Sequence, residues 1–394
     1  MSEPETPDRA TLAERARQSF ATRFGRPATT VVAAPGRVNL IGDHTDYEEG
    51  LALPMAIDRS VVIAAAPRET PGDTACRIHS VAMNETCVVR RDDLVNTPPP
   101  AGRGWKRYVA GVLALAPDAG MSAPAFDAWI ESTVPPDAGL SSSAALEVAV
   151  ATLVESLVGR TLPPLEKARW CQRAEHVYAG VPCGLMDQIA SAASTAGHAM
   201  LLDCRTLAMT PIPLPAREVA VLLADTGERR DLTSSAYAER RQACRDAATH
   251  LGVATLRDAE RVDLDRVADV LPPAVLRRAC HVIGENDRVR ACAAALRCGH
   301  WSDAGRLMNE SHDSLRDDFE VSSAALDAIV AAARSIGSGG GVHGARMTGA
   351  GMGGCVVILA APEAASGVMR RLTRIASSVL VVRPEDGAGP VCGG

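Results

Sequence analysis

Two stretches of this 394-residue chain concentrate side chains able to do chemistry. The first is Val134-Pro135-Pro136-Asp137-Ala138-Gly139-Leu140-Ser141-Ser142-Ser143-Ala144-Ala145-Leu146-Glu147. Three successive serines there follow a glycine and lead into an apolar run. Small side chains let phosphate oxygens approach the backbone, and the start of a helix offers unpaired N–H groups and partial positive charge. The hydroxyls add hydrogen bonds or ligate a cation. A serine-capped helix after an ordinary turn has the same letters, so the loop alone leaves both readings open. The second stretch is Pro35-Gly36-Arg37-Val38-Asn39-Leu40-Ile41-Gly42-Asp43-His44-Thr45-Asp46-Tyr47-Glu48-Glu49-Gly50. Crowding Asp43, His44 and Asp46 between apolar strands costs desolvation and like-charge repulsion unless something binds them. Carboxylates and an imidazole presented together suit the vicinal hydroxyls of a sugar. A polar turn whose Asp and Thr cap the backbone is the plainer alternative.

Elements on either side must hold these stretches in place. Phe126, Ala128, Ile130 and Val134 fall on alternate positions, as in a half-buried strand, and the apolar run to Leu157 reads as a helix. The serine loop is therefore a strand-to-helix connection. Upstream, Leu12, Ala16 and Phe20 mark a helix over residues 11–23, and residues 28–34 read as a strand. Strands are expected again at residues 51–57 and 61–66. Residues 102–113 suit a helix with Trp105 and Tyr108 three apart, after a proline loop at residues 97–100. Leu165, Ala168, Cys171 and Val177 predict a helix over residues 164–179 with Glu175 near its end, and residues 184–187 open another with Asp187 in its first turn. Beyond lie a strand at 219–224, a charged helix at 239–247, a helical region at 253–306, a glycine turn at 337–341 and a strand at 355–360. No internal repeat is present.

Composition narrows the function. At 47% hydrophobic and 22% charged the chain has ample core material, and its length suits two domains. A net charge of −6 argues against nucleic acid or a membrane surface as partner. No apolar run reaches the roughly 18 residues of a membrane helix, and polar residues 1–7 do not read as a signal peptide. Eleven cysteines without CxxC pairs fit reduced thiols in the cytoplasm. Lysine occurs only at Lys106 and Lys167, neither preceded by glycine, so a GxxxxGK[ST] phosphate loop is excluded, and HRD and DFG motifs are absent.

The motifs resemble a known family. Gly36-Arg37-Val38-Asn39-Leu40-Ile41-Gly42-Asp43-His44-Thr45-Asp46-Tyr47 is similar to the galactokinase signature. The serine loop resembles the second motif of the GHMP kinases (galacto-, homoserine, mevalonate and phosphomevalonate kinases). Met347-Thr348-Gly349-Ala350-Gly351-Met352-Gly353-Gly354-Cys355 resembles the third. Residues 171–176, 182–188 and 310–322 add further galactokinase-like stretches. The resemblance implies an α+β fold of two domains, residues 1–197 and 198–394, with the active site in the cleft between them. It implies a cytoplasmic enzyme that phosphorylates the anomeric hydroxyl of α-D-galactose with ATP and Mg²⁺, as a monomer or, alternatively, a dimer. Rival readings are a sister kinase for N-acetylgalactosamine or a C6-altered galactose, and a non-catalytic galactose/ATP sensor.

The same resemblance assigns roles. Asp187 is the expected catalytic base, with Arg37 stabilising charge on the transferring phosphoryl group. Asp43, His44, Asp46, Gly184 and Tyr237 are expected on the sugar. Trp105 and Tyr108 are expected at the adenine, and Gly139, Leu140, Ser141, Ser142, Ser143, Ala144, Gly349 and Gly351 around the phosphates. Glu175 is the expected Mg²⁺ ligand, with Ser142, or else Ser143, as its hydroxyl partner. The chain departs from the family pattern at Asp43 (usually Glu, on the sugar 6-hydroxyl), Glu48 (usually Asn), Asp137 (usually Gly) and Met352 (usually aromatic). The shorter Asp43 predicts tolerance of C6-altered sugars, and Asp137 sets a negative charge near phosphates. The tail after Leu359 is shorter than the resemblance leads one to expect.

Overall fold

In a computed structural model the described residues are 7–69, 72–90, 93, 104–136, 138–228 and 235–392. The expected loop at residues 97–100, Gly102, Asp137 and residues 232–234 lie outside them. Helix Arg9–Phe24 comes first, capped by the Asp8 carboxylate on the Thr11 N–H. Strands β1 (Thr30–Asn39), β2 (Leu51–Ala52), β3 (Pro54–Pro67), β4 (Ala75–Ser80), β5 (Glu85–Arg90) and β6 (Phe126–Ser132) follow in order. Five of these build a six-stranded sheet in the order β13-β1-β3-β6-β4-β5, where β13 is Gly389–Pro390. Its pairings are antiparallel except β4 with β6. Both faces are covered. Leu12, Ala16 and Phe20 pack on Val31, Ala33 and Val62, while Val32 and Ile63 face the large core that helix Ser142–Val158 fills. Apolar residues therefore run almost unbroken along β1 and β3 instead of alternating.

β1 extends past the expected end at residue 34. It continues through Pro35 and Gly36 by means of a register shift between Pro35 and Arg37. Proline lacks an N–H and suits such an irregularity, which turns the following side chain to a new direction. Gly36 is needed because a Cβ would lie 2.8 Å from the Leu140 carbonyl, and that carbonyl accepts the Arg37 N–H at 3.1 Å. Arg37 thus sits on a strand, laced to the serine loop.

Beyond helices Pro164–Ala174 and Met186–Ala193, strands β7 (His198–Asp203) and β8 (Met209–Pro213) form a three-stranded sheet with β2. β9 (Ala220–Asp225), β10 (Val342–Met347), β11 (Cys355–Ala360) and β12 (Ser378–Val382) make a second large sheet, in the order β10-β11-β9-β12. Helices Ser235–Leu251, Pro273–Arg297, Trp301–Asp317 and Ala324–Ile336 belong to this second half. The whole is an α+β architecture in two parts. The chain then returns to the first sheet: β13 pairs with β1, Gly387 and Ala388 donate N–H bonds to the Ser194 and Ser191 carbonyls, and Val391 donates to Val31. None of the eleven cysteines forms a disulfide, and no described helix is long and apolar enough to cross a membrane.

Candidate active site

A cavity of about 830 Å³ opens between the serine loop, residues 43–47, the Gly184 turn and the third glycine-rich loop. Arg37, Asp43, His44, Asp46, Trp105, Tyr108, Gly139, Ser141, Ser142, Ser143, Glu175, Gly184, Asp187, Tyr237 and Gly349 all line it. Leu140, Ala144 and Gly351 do not. Leu140 and Ala144 are buried in the core, and Leu140 contributes its carbonyl to β1. Gly351 shapes its loop from behind, where a Cβ would meet the Val321 carbonyl at 2.2 Å and φ is +86°.

At the centre lies Asp187, in the first turn of helix Met186–Ala193. Arg37 holds it with two parallel bonds, Nε to Oδ1 at 2.7 Å and Nη2 to Oδ2 at 2.8 Å. Such a fork fixes both position and plane of a carboxylate. The third Arg37 nitrogen donates to the Gly139 carbonyl at 2.7 Å, and Ser141 Oγ donates to Asp187 Oδ2 at 2.5 Å. Ser141 is not a side-chain cap for the helix behind it. It sits in the left-handed region, with φ of +54°, and turns its hydroxyl to Asp187 instead.

One side of Asp187 faces residues 43–47. Asp46 is half-buried there, and burial first, then the charge of Asp187, pushes its carboxyl up to about 7. Gly184 lies against it so closely that a Cβ would fall 1.7 Å from Asp46 Oδ2. His44 (φ +65°) bonds Tyr47 Oη through Nδ1 at 3.0 Å, and its Nε2 donates to the Ala350 carbonyl at 3.1 Å. Its ring rests near Phe319 and Tyr237, with centroids 4.7 and 5.8 Å away. Asp43 reaches the cavity, yet both its oxygens are engaged from the second half of the chain: Gly349 N–H donates to Oδ1 at 3.1 Å, and Arg346 pairs with Oδ2 at 2.7 Å. Arg346 is fully buried and was not signalled by any motif residue considered above. Glu48 turns inward to accept the Leu256 N–H, and Met352 occupies a left-handed position with its N–H on Val321 O.

The charge of Asp187 also acts on a buried acidic pair, Glu175 and Glu147. Helix Pro164–Ala174 does not run on to residue 179 as the spacing predicts. It widens into a π-helical turn over Glu175–Ala179, a geometry that swings Glu175 inward. Gln188 Nε2 donates to Glu175 Oε2 at 2.6 Å and Cys183 Sγ to the same oxygen at 3.2 Å. Glu147, wholly buried, shares the Gln188 amide at 3.3 Å. Burial pushes the Glu175 carboxyl up to about 7, and burial together with the Glu175 charge pushes Glu147 well above the carboxylate range. Glu147 Oε1 has no hydrogen-bond partner among the described residues. The sequence signal for Glu147 was a lone carboxylate inside an apolar helix run, one turn beyond Ser143.

Among the described residues no group of three or more His, Cys, Asp or Glu is arranged to hold a metal. One carboxylate with serine hydroxyls beside it still fits a small hard cation, which takes its remaining ligands from phosphate and water. Glu175, Ser142 and Ser143 line the same cavity and supply that set, and an unpartnered buried oxygen on the adjacent Glu147 marks the spot as short of positive charge. At the cavity's outer end, Trp105 Nε1 donates to Glu85 at 3.2 Å and Lys106 pairs with the same carboxylate, which fixes the Trp105 ring beside Tyr108.

Comparison with known proteins places these features in a family. Residues 18–67 match the model described as the galactokinase galactose-binding signature. Residues 107–195 match the GHMP kinase N-terminal domain and residues 292–376 the GHMP kinase C-terminal domain. The chain is 42% identical to the galactokinase of Bos taurus over 374 residues, 94% of either chain, and 40% identical to that of Homo sapiens over 98% of either chain. Its fold superposes on the crystal structure of Lactococcus lactis galactokinase complexed with galactose with a TM-score of 0.88, at 30% identity, covering 95% of this chain and 98% of that one.

Proposed function

The chain belongs to the galactokinase family of the GHMP kinases, and on that premise we propose how its residues phosphorylate the anomeric hydroxyl of α-D-galactose with ATP. Asp46, His44, Gly184 and Tyr237 hold the sugar so that its C1 hydroxyl meets Asp187. Trp105 and Tyr108 flank the adenine, and the backbone N–H groups of the serine loop receive the phosphates. The observation that carries this reading is the Arg37–Asp187–Ser141 cluster, which lines the same cavity as Asp46 and Glu175.

Asp187 accepts the proton as the C1 oxygen bonds to the γ-phosphorus and the bond to the β-phosphate oxygen breaks. Phosphoryl transfer passes through a loose transition state, so orientation and charge neutralisation carry much of the rate. Arg37 supplies both, because one guanidinium braces the carboxylate and the Gly139 carbonyl at once. Mg²⁺, held by Glu175 with Ser142 or Ser143, would screen the charge of the phosphates. Gln188 and Cys183 keep the Glu175 carboxylate turned toward that position. Free thiols throughout support a reducing cytoplasmic setting.

A coupled ADP-release assay with ATP, Mg²⁺ and a panel of galactose, 2-deoxygalactose, 6-deoxygalactose, N-acetylgalactosamine and glucose tests the reading. Turnover of galactose over glucose is expected, with kcat reduced about 10²–10⁴-fold in Asp187→Asn. Galactose binding without ADP release would make the protein a sensor. Turnover of N-acetylgalactosamine alone would replace the substrate and keep the mechanism.

A further inference from the structure

The loop that carries Asp43, His44 and Asp46 is gripped at both ends by one helix that never enters the cavity. Helix Pro273–Arg297 belongs to the second half of the chain. Its residues His281, Glu285 and Val289 recur every four positions, so they form one stripe, and that stripe lies under the loop. At the loop's start, Gly42 N–H donates to Glu285 Oε1 at 3.0 Å, and a Cβ on Gly42 would come within 2.9 Å of Val289. At its end, Leu51 N–H donates to Asn286 Oδ1 at 2.8 Å, and Gly50 packs so closely that a Cβ would sit 2.7 Å from the same oxygen. Between them, His281 Nε2 donates to the Asp43 carbonyl at 3.2 Å.

The grip is itself braced. Ser311 Oγ donates to Glu285 Oε1, and Arg288 Nε to Oε2 at 2.6 Å. Asn286 Nδ2 donates to the Val282 carbonyl, which fixes its amide with the oxygen toward Leu51. Glu285, Asn286 and His281 are all buried, and none of the three lines the cavity. Within the loop, Thr45 Oγ1 lies within hydrogen-bond reach of the Gly42 and Leu51 carbonyls, which draws the two gripped ends together.

We propose that Glu285 and Asn286 are positioning residues for the sugar: by fixing the two ends of residues 42–51 from the second half of the chain, they set the places of His44 and Asp46 and so the affinity for galactose. The proposal rests on the reading that this loop binds the sugar. It gives the second half a part in sugar recognition that needs no side chain of this helix in the cavity. Loss of either contact frees one end of the loop, while most of the ATP side, the serine loop and residues 105–108, lies outside it.

The test compares Asn286→Ala, Glu285→Gln and Ser311→Ala with wild type and with Asp46→Asn. KM for galactose, KM for ATP and the rise in Tm on adding galactose are measured for each. Asn286→Ala and Glu285→Gln are expected to raise KM for galactose about tenfold, to keep KM for ATP within about twofold, and to shrink the galactose-induced Tm rise accordingly. Ser311→Ala, a smaller loss on the same carboxylate, gives a weaker shift in the same direction and decides the matter if Glu285→Gln does not fold. A rise of both KM values in step with a fall in Tm, or no change in the galactose KM while Asp46→Asn raises it, overturns the positioning role. If Asp46→Asn also leaves the galactose KM unchanged, the loop is not the sugar site and both readings fall.

Discussion

Gly184 offers a substitution whose effect follows from one distance. A Cβ there would lie 1.7 Å from Asp46 Oδ2 and 2.3 Å from its Cγ, and the three atoms it meets first all belong to that one side chain. Ordinary contact between such atoms is about 3.5 Å, so the Asp46 carboxylate must retreat by nearly 2 Å. The backbone at Gly184 is not in the left-handed region, so alanine adds no backbone strain there. Gly184→Ala should therefore leave the fold alone, with Tm within about 3 °C of wild type. Catalysis should not survive so well. A misplacement of 1 Å in a positioning group can cost about 10²-fold, so kcat/KM for galactose should fall at least about a hundredfold, some 2.7 kcal/mol of transition-state stabilisation. KM for ATP should change little, because the side chain that the new Cβ displaces, Asp46, is on the sugar side. The coupled ADP-release assay with each substrate varied in turn reads both numbers. A kcat/KM for galactose within about threefold of wild type would refute the placement of Asp46 against the sugar.

Other consequences are open to the same assay. Asp46, with its carboxyl raised to about 7, must ionise to accept sugar hydroxyls, so kcat/KM for galactose should climb as pH rises through about 7. The folded-state value lies above the unfolded one, so the stability this group contributes is present below the ordinary carboxyl value of 3.8 and is lost as pH rises through about 7; Tm of the sugar-free protein should decline over that window, and less so in Asp46→Asn. Glu175→Gln should weaken Mn²⁺ binding, followed by electron paramagnetic resonance, and raise the Mg²⁺ concentration needed for half-maximal rate; unchanged Mn²⁺ binding would remove Glu175 from the metal. Because Gly349 and Arg346 already occupy the Asp43 oxygens, removing the sugar 6-hydroxyl should cost less than about tenfold in kcat/KM, and strong rejection of 6-deoxygalactose would show that Asp43 still reaches it.

The site was legible in outline because its parts are local. A strand, a small-residue loop and a helix can be read from alternation, glycine and an apolar run, and the structure has them at Phe126–Ser132 and Ser142–Val158. β11 runs over residues 355–360 as the pattern predicts. What stayed hidden depends on contacts between distant residues. Arg346 reads as one arginine before a glycine-rich turn, yet it is the counter-charge of a carboxylate some three hundred positions earlier. Ser141 looks like a helix cap, but Asp187 competes for its hydroxyl and wins. The π-helical turn at Glu175 has no signature in a 3.6-residue pattern. β1 outran its expected end because a proline and a glycine, ordinarily strand breakers, here form an irregularity stabilised by the serine loop and by Ser191 Oγ on the Pro35 carbonyl. Glu285 and Asn286 lay in a region whose composition says that it is helical and not what it holds.

The return of β13 to β1 bears on when the enzyme comes into being during synthesis. Val32 and Ala33 lie more than 350 positions ahead of their partners Pro390 and Gly389, and leave the ribosome that much earlier. The same late segment ties down helix Met186–Ala193 through Ser191 and Ser194, a few residues from Asp187. A nascent chain therefore carries Arg37, the serine loop and Asp187 long before it has the strand that closes the edge of their sheet. Contacts so far apart in sequence form slowly, and the growing chain must keep that edge unpaired meanwhile. The edge of this sheet is thus closed only by a segment made well after the residues that do the chemistry.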